Sequence, residues 1–492
     1  MMLTAYAQVG APGTLQIWVG FFDTENPPPV SIELNEAPVA PVVVAPVKAI
    51  RDSMTGPNGK PVNHRGIFAI RRVEPDRPYR VVIIAGDERV ALPTRTLPTA
   101  VPPMLDGSFN ILLCSCYYQP EDSSGLLGTM VSQIMLRPHL TLMLGDQIYG
   151  DLPLFEDLPA NTAGVARKLG DKYRRNWASA QLGSGGLGSV LSTAPVVCVA
   201  DDHEFWNNYP FEQTQLPNTW TPQGRAQWTI TALALYEDYQ LGGGSAGGAQ
   251  RIDVDPLKIL VVDMRCLRDD QFNNLVPAAT LAILRQWVGD LIQAKQAGRP
   301  AFGMLASGQA LFVNRETDSK KRSVDAEMSN FAQFDREIVP ELDRLADENI
   351  PVVYVTGDVH WGRVAQGFDL RTSRMLLYEV ITSPSRLIRV PLLDKGKEML
   401  NEVKGLFGKS EPWPRHGIPA NVPDRFGTRG RFQLQCDPEH GAGYQQRGDQ
   451  IAIMSFSRAG GGVNFKVSYY GINSDKVISR SSTTQTFELR IQ

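Results

Sequence analysis

Six apolar runs of four or five residues recur through the middle of the chain, and they set the fold class. They are Phe109–Leu113, Leu140–Leu144, Val196–Ala200, Ile259–Val262, Ala301–Leu305 and Val352–Val355. Runs of this length and composition read as strands. Segments of helical period lie between them. Leu281, Leu284, Val288 and Leu291 form one stripe, stopped by Gly298 and Pro300. Phe334, Ile338, Leu342 and Leu345 form another, in which Pro340 marks a kink. Strands alternating with helices imply an α/β domain with a largely covered sheet.

The flanks have a different texture. Residues 1–105 read as an N-terminal all-β domain, with strand-like runs at Leu15–Phe22, Val30–Leu34, Gly66–Val73 and Tyr79–Ile84. Gly86-Asp87 is the turn of a hairpin. Spaced turns between β-branched runs suggest a small antiparallel sandwich of fibronectin III or immunoglobulin-like pattern. The α/β domain then takes residues 106–492. Within it, 395–447 is polar and rich in Pro and Gly, which predicts a long loop insertion, one use of which is a lid over a site. Strand-like runs close the chain within 450–491.

Composition excludes several classes. Lys+Arg 49 against Asp+Glu 52 leaves a net charge of −3, so no stable nucleic-acid binding is expected. The longest apolar stretch, Ala37–Val47, contains Pro38, Pro41 and Pro46 and is far short of the ~20 residues of a spanning helix, so no transmembrane segment is expected. The start, MMLTAYAQVG, lacks a basic region followed by an apolar core, which points to a cytoplasmic protein. Five cysteines are an odd and sparse set that does not form a disulfide framework.

Four of the apolar runs end in polar clusters. These are Cys114-Ser115-Cys116, GDQIYGD at 145–151, DDHEFWNN at 201–208 and GDVH at 357–360. Ligands gather at the carboxyl ends of strands in open α/β sheets, so the four ends read as a metal site assembled from loops. Asp146, Asp202 and Asp358 supply hard oxygen ligands and negative charge. His360 reaches the same site from two residues beyond Asp358. His203 has two readings, metal ligand or proton donor. A Cys116 thiolate and a Tyr149 phenolate suit a transition ion, ferric iron above all.

These motifs, in this order and approximate spacing, resemble the alkaline phosphatase D (PhoD-like) family of the calcineurin-like metallophosphoesterases. Asp263-Met264-Arg265, after Ile259–Val262, is similar to a further landmark of that family, as is the N-terminal β-sandwich. The resemblance covers residues from about 10 to 390. It implies a layered α/β/β/α core of metallophosphoesterase type behind the small all-β sandwich. It places Cys116 at the superfamily's first Asp-x-His motif and makes Asp146 the metal-bridging carboxylate. Tyr149 becomes an iron ligand, Asp202 takes the Asn position of the wider GNHE motif, and His203 is its catalytic histidine. Asp358 and His360 take the two histidine positions of GHxH. The implied ions are Fe3+ and Ca2+, with other divalent ions as alternatives. The histidine inventory agrees: none lies between His203 and His360, so a conventional histidine-rich site cannot be built. The chain departs from the family in lacking the twin-arginine export signal that members commonly carry.

The expected activity is hydrolysis of phosphate mono- or diesters, on a small-molecule or lipid substrate, by a metal-activated water. His203 and Arg265 are the catalytic candidates, the first toward the leaving oxygen and the second toward the phosphoryl oxygens. Glu204 has two readings, as a helix cap or as the orienter of His203, and Arg265 and Arg268 have a rival reading as structural ion-pair partners. Packing is the expected role of Cys198, Cys266, Trp206 and Trp361, and His64, His139, His416 and His440 carry no motif. Two alternatives remain open: a non-catalytic binding protein that uses the sandwich for recognition, and a phosphodiesterase directed at phospholipid or nucleic acid.

Overall fold

The apolar runs become parallel strands of two large sheets. A computed structural model describes residues 1–152, 159, 161–183, 185–214, 216–242, 244–318, 322–323, 326–386, 426–436, 444–446, 448–472, 479–484 and 486–490. Phe109–Cys114, Leu140–Leu144 and Val196–Val199 lie side by side in an 11-stranded sheet. Leu257–Val262, Phe302–Ala306 and Val352–Thr356 lie side by side in a 9-stranded sheet.

Side-chain alternation explains how the layers stack. Ile111, Leu113, Leu142, Leu144, Val197 and Val199 meet Ile259, Val261, Met304 and Val353 in a core between the two sheets. The other face of the first sheet presents Leu112, Cys114, Met143 and Cys198 to the helices Thr162–Trp177 and Pro222–Tyr239. The outer face of the second sheet presents Leu260, Val262 and Tyr354 to Ala278–Gln296 and Val339–Asp347. The order is therefore α/β/β/α. Strands buried on both faces must be apolar throughout, which is why these six stand out in the sequence.

Both predicted helices form. Gly298 ends Ala278–Gln296 at φ +68, with the Arg299 amide donating back to the Ala294 carbonyl. The second differs in detail. Residues Phe334–Ile338 form a π turn, and Val339–Asp347 starts anew with Pro340 in its first turn. Proline costs nothing there, because first-turn amides have no intrahelical acceptor.

The first hundred residues form two packed sheets. Leu3, Ala5, Ile17, Val19 and Phe21 face Ile32, Val81, Ile83 and Leu92 across one apolar core. One of those sheets continues into the 11-stranded sheet, where Gln8 on Met2–Val9 pairs in parallel with Val196. Its other face, with Tyr6, Trp18 and Ile67, packs under the helices beside Tyr173, Trp177 and Tyr239. We propose the division near residue 105 on this change of core, not on any break in the sheet.

Part of the segment expected as a long loop is sheet. Phe426–Arg429 and Phe432–Gln435 form a hairpin, and Tyr444–Gln446 adds to the same strand, Gly362–Asp369. That strand would otherwise leave an unpaired edge, and Phe432 and Leu434 gain burial by covering it. The lid reading, with His416 and His440, falls on residues outside the described ones. Gly362–Asp369 and Met375–Ile381 were not among the expected strands. Each carries a charge that its sequence gives no reason to bury, and Arg363 and Glu379 pair with each other at zero exposure. All five cysteines are free and buried. No helix of the described residues is long and apolar enough to cross a membrane.

Candidate functional site

The parallel strands of both sheets deliver their carboxyl ends to one cleft, and glycines let the loops meet there. Gly145 has φ +94, and a Cβ on it would lie 2.6 Å from the Asp201 Cβ. A Cβ on Gly357 would collide with the Ser115 hydroxyl and the Leu144 carbonyl. The loops are then tied together. Cys116 and Tyr117 amides donate to the carbonyls of Gly145 and Asp146 at 3.1 and 2.8 Å. The Asp358 amide donates to Ser115 Oγ at 3.0 Å. Cys116, Asp146, Asp358 and His360 all have φ between 51 and 61. Left-handed backbone at four non-glycine residues is strain of the kind held at functional sites.

Ligand atoms converge on Asp146. It belongs to three groups whose ligand atoms lie within 4.8 Å of one another: with Cys116 and His360, with Asp202 and His203, and with Asp201, Asp202 and Asp358. Cys116 Sγ is 3.4 Å from Asp146 Oδ2 and accepts from Ser383 Oγ at 3.1 Å. The Tyr149 phenol is 3% exposed, and its oxygen has no hydrogen-bond partner among the described residues. Its ring lies 4.2 Å from that of His203.

The electrostatics are those of a site short of positive charge. Burial pushes the Asp146 carboxyl well above its ordinary range, and Asp202, Asp201 and Glu204 push it further, against the pull of His203. Burial and then Asp201, Asp202 and Asp146 do the same to Asp358. The Cys116 thiol is raised by burial, Asp146 and Asp358. The Tyr149 phenol is raised by burial, Cys116 and Asp146. So many buried acids are costly unless cations neutralise them, and an unpartnered phenol oxygen among them has the chemistry of a ligand. The residues fit a cluster of metal ions.

Two carboxylates hold the machinery in place. Glu204 accepts from the amides of Asp146 at 2.9 Å, Gln147 at 2.7 Å and Asp201 at 2.9 Å, which fastens two of the loops together. It therefore anchors backbone; it does not touch His203 through its own carboxylate oxygens in any of these bonds. Asp151 does orient the histidine. Its Oδ1 lies 2.8 Å from His203 Nδ1, and its Oδ2 accepts from the Asn207 amide at 2.9 Å. Burial lowers the His203 pKa, but Asp151, Asp202 and Asp146 outweigh it and carry the imidazole up to about 10.

Arg265 is 1% exposed, with Nη2 3.1 Å from Asp202 Oδ2 and Nε 3.6 Å from Asp201 Oδ1. Asp263 accepts from the Arg265 and Cys266 amides at 3.0 and 3.1 Å and so shapes that turn. Arg268 donates to the carbonyls of Met264 and Ala326 and stacks over Phe331 at 5.3 Å, a structural placement. Trp206 is wholly buried beside Tyr209 and Trp228, and Trp361 lies under the Arg363 guanidinium.

A sequence model of the PhoD-like phosphatase family matches residues 109–388, more than half of the chain. The chain belongs to the PhoD-like phosphatase family. It is accordingly a phosphoric ester hydrolase, and the four strand-end motifs all lie inside the matched span. Among solved structures, one of PhoD is similar over 99% of this chain and 92% of that chain, with a TM-score of 0.59 at 13% identity. The purple acid phosphatase PPD1 from yellow lupin (Lupinus luteus) seeds is similar over 99% of this chain and 74% of its own, with a TM-score of 0.53 at 9% identity. At these identities the likeness is one of fold. No curated protein matches the chain in sequence.

Within this PhoD-like phosphatase, all eight expected residues lie at or beside the cleft. Cys116, Asp146, Asp202, His203, Asp358 and His360 meet in the ligand groups, the Tyr149 ring packs at a tilt against His203, and Arg265 pairs with Asp202. Two were missed. Asp201 is the first residue of DDHE, adjacent to a candidate already chosen, and Asp151 closes GDQIYGD. The repeated acid in each motif was the available signal.

Proposed function

We propose that this PhoD-like phosphatase hydrolyses small phosphate mono- or diesters at a cluster of ferric and calcium ions. Cys116, Asp146, Tyr149, Asp202, Asp358 and His360 would hold the ions, Asp146 being the carboxylate common to all three ligand groups. The convergence of three ligand groups on Asp146 carries this reading. Thiolate and phenolate are both anionic donors, which suits a trivalent ion such as Fe3+, while the carboxylates suit Ca2+. Bound there, the ions supply Lewis acidity, an activated water and neutralisation of phosphoryl charge.

The protein's own residues do the rest. Asp151 holds His203 by Nδ1, so proton delivery to the leaving oxygen runs through Nε2. Arg265 fixes positive charge next to Asp201 and Asp202, beside the place where phosphoryl oxygens gain charge. Asp151→Asn should lower kcat by about 10²-fold or more with little change in KM, because it removes orientation and charge from the proton donor. Steady-state kinetics on p-nitrophenyl phosphate checks this, and an unchanged kcat would rule out the dyad.

The reading as a whole is tested on protein loaded with iron and calcium. Hydrolysis of p-nitrophenyl phosphate or bis-p-nitrophenyl phosphate is expected, and failure on both defeats it. Elemental analysis should find iron, with visible charge-transfer absorption whose phenolate component is lost in Tyr149→Phe. Zinc alone would remove the iron assignment.

A further inference from the structure

The Cys116 sulfur lies between two serine hydroxyls, one adjacent in the chain and one 267 residues away, that no step of the proposed chemistry uses. Ser115 Oγ and Ser383 Oγ are each 3.1 Å from Cys116 Sγ. Both serines are buried, at 2% and 0% exposure. Each oxygen also accepts a backbone amide of the GDVH motif: Ser115 from Asp358 at 3.0 Å, and Ser383 from His360 at 3.2 Å. The segment that carries Ser383 is fastened to the sulfur's own loop. The Ser385 and Arg386 amides donate to the Ser115 and Cys116 carbonyls at 2.7 and 3.0 Å, and Ser385 Oγ accepts the Ser115 amide at 3.1 Å.

Chemistry fixes the direction of the two sulfur contacts. A cysteine ligates a metal as the thiolate, which has no proton to give, so both hydroxyls must donate to it. A serine hydroxyl has one O–H and two lone pairs. With an amide already on the oxygen of each, the one proton is left for the sulfur, and the amide polarises it further in that direction. Hydrogen bonds to a ligating sulfur draw off electron density that it would otherwise give to the ion, and so tune the potential of thiolate-bound metals. We propose that Ser115 and Ser383 are positioning residues of the metal centre, which hold the Cys116 thiolate in place and weaken its donation, so that the ion it binds stays a strong Lewis acid. The same two hydroxyls accept the amides of Asp358 and His360, and they therefore set the first and the last of the four motifs relative to each other. The inference rests on the reading of Cys116 as a ligand and adds the groups that govern it.

Absorption spectra of the iron-loaded full chain test it. In Ser383→Ala, and independently in Ser115→Ala, the thiolate component of the charge-transfer absorption is expected to move to longer wavelength and the iron reduction potential to fall. The phenolate component, the one lost in Tyr149→Phe, should stay where it is. Iron affinity should drop by about tenfold or more, the scale for losing a group that supports a ligand. A serine that only packed would change how much iron is held and leave the energy of the thiolate component alone. Loading with Co2+ asks the same question apart from the iron assignment, because a cobalt-bound thiolate gives charge-transfer absorption of its own in the near ultraviolet. Absorption that is lost in Cys116→Ser but unmoved in both serine variants overturns the role of the serines and leaves the metal reading standing. Absence of any Cys116-dependent absorption with either ion overturns the serine role together with the reading of Cys116 as a ligand.

Discussion

Turnover in Asp146→Asn is expected to fall by about 10³-fold or more, the scale seen when a preorganised charge at a reacting centre is removed. The substitution changes one oxygen to NH2 and leaves the volume alone, so packing is not at issue. Asp146 is the only residue shared by all three groups of ligand atoms among the described residues. Its Oδ1 also accepts from the His203 amide at 3.2 Å, and an amide nitrogen placed there would face another donor. The same variant should make the metal-free protein no less stable to heat, because it removes one charge from a buried group of acids that already repel one another. Metal-loaded protein should lose its stabilisation by added metal. Kinetics and thermal melts with and without metal check both halves. Full activity in Asp146→Asn would show that the ligand groups around Asp146 are not the reacting centre.

The second large effect concerns the joint between the N-terminal sheets and the helices. Asp238, on Pro222–Tyr239, has zero exposure and takes Arg65 Nη2 at 2.9 Å and Arg51 Nε at 2.9 Å, with Lys48 Nζ 3.8 Å away. The Arg51 amide also donates to it at 3.1 Å. Arg65 is itself 2% exposed. Removing one partner of a buried pair strands the other charge, so Asp238→Ala should cost about 3–5 kcal/mol in chemical denaturation. Replacing both groups, as in Arg65→Met with Asp238→Leu, should cost much less. A loss below ~1 kcal/mol in Asp238→Ala would show that the pair is not a structural joint.

That pair also fixes a pH dependence. Burial alone would raise the Asp238 carboxyl, but hydrogen bonds and charge from Arg51, with Arg65, bring it below its ordinary value. A carboxyl lowered in the folded state stabilises the fold above its unfolded pKa. The stabilisation is lost as pH falls through the lower, folded value. The acid limb of the stability profile should therefore be shallower in Asp238→Ala than in the unsubstituted protein.

How much of this was legible depended on whether a residue's role is local. The six buried strands announce themselves because both faces are apolar, and the Gly-Asp turns stand at their ends. Gly145 and Gly357 have no latitude, since a side chain at either would strike the neighbouring loop. Asp151 was harder to see. Its partner, His203, is 52 residues away, and only the fold brings the two within 2.8 Å. Glu204 could be read two ways until its oxygens were seen on the amides of Asp146, Gln147 and Asp201. Strands Gly362–Asp369 and Met375–Ile381 were hidden by Arg363 and Glu379, charges that make sense inside a protein only once paired.

The sequence by itself determined the layered class, the positions of most strands and the identity of the acid, thiol, phenol and imidazole groups gathered at the cleft. These follow from periodicity and residue chemistry, which act over a few neighbouring positions. Tertiary structure decided what depends on distance between remote segments: the fusion of the N-terminal sheet through Gln8 and Val196, the strand pairing of residues 426–435 and the Asp151–His203 contact. Hydrogen bonds and charge pairs act over a few ångströms, so only a folded chain determines which distant residues share them.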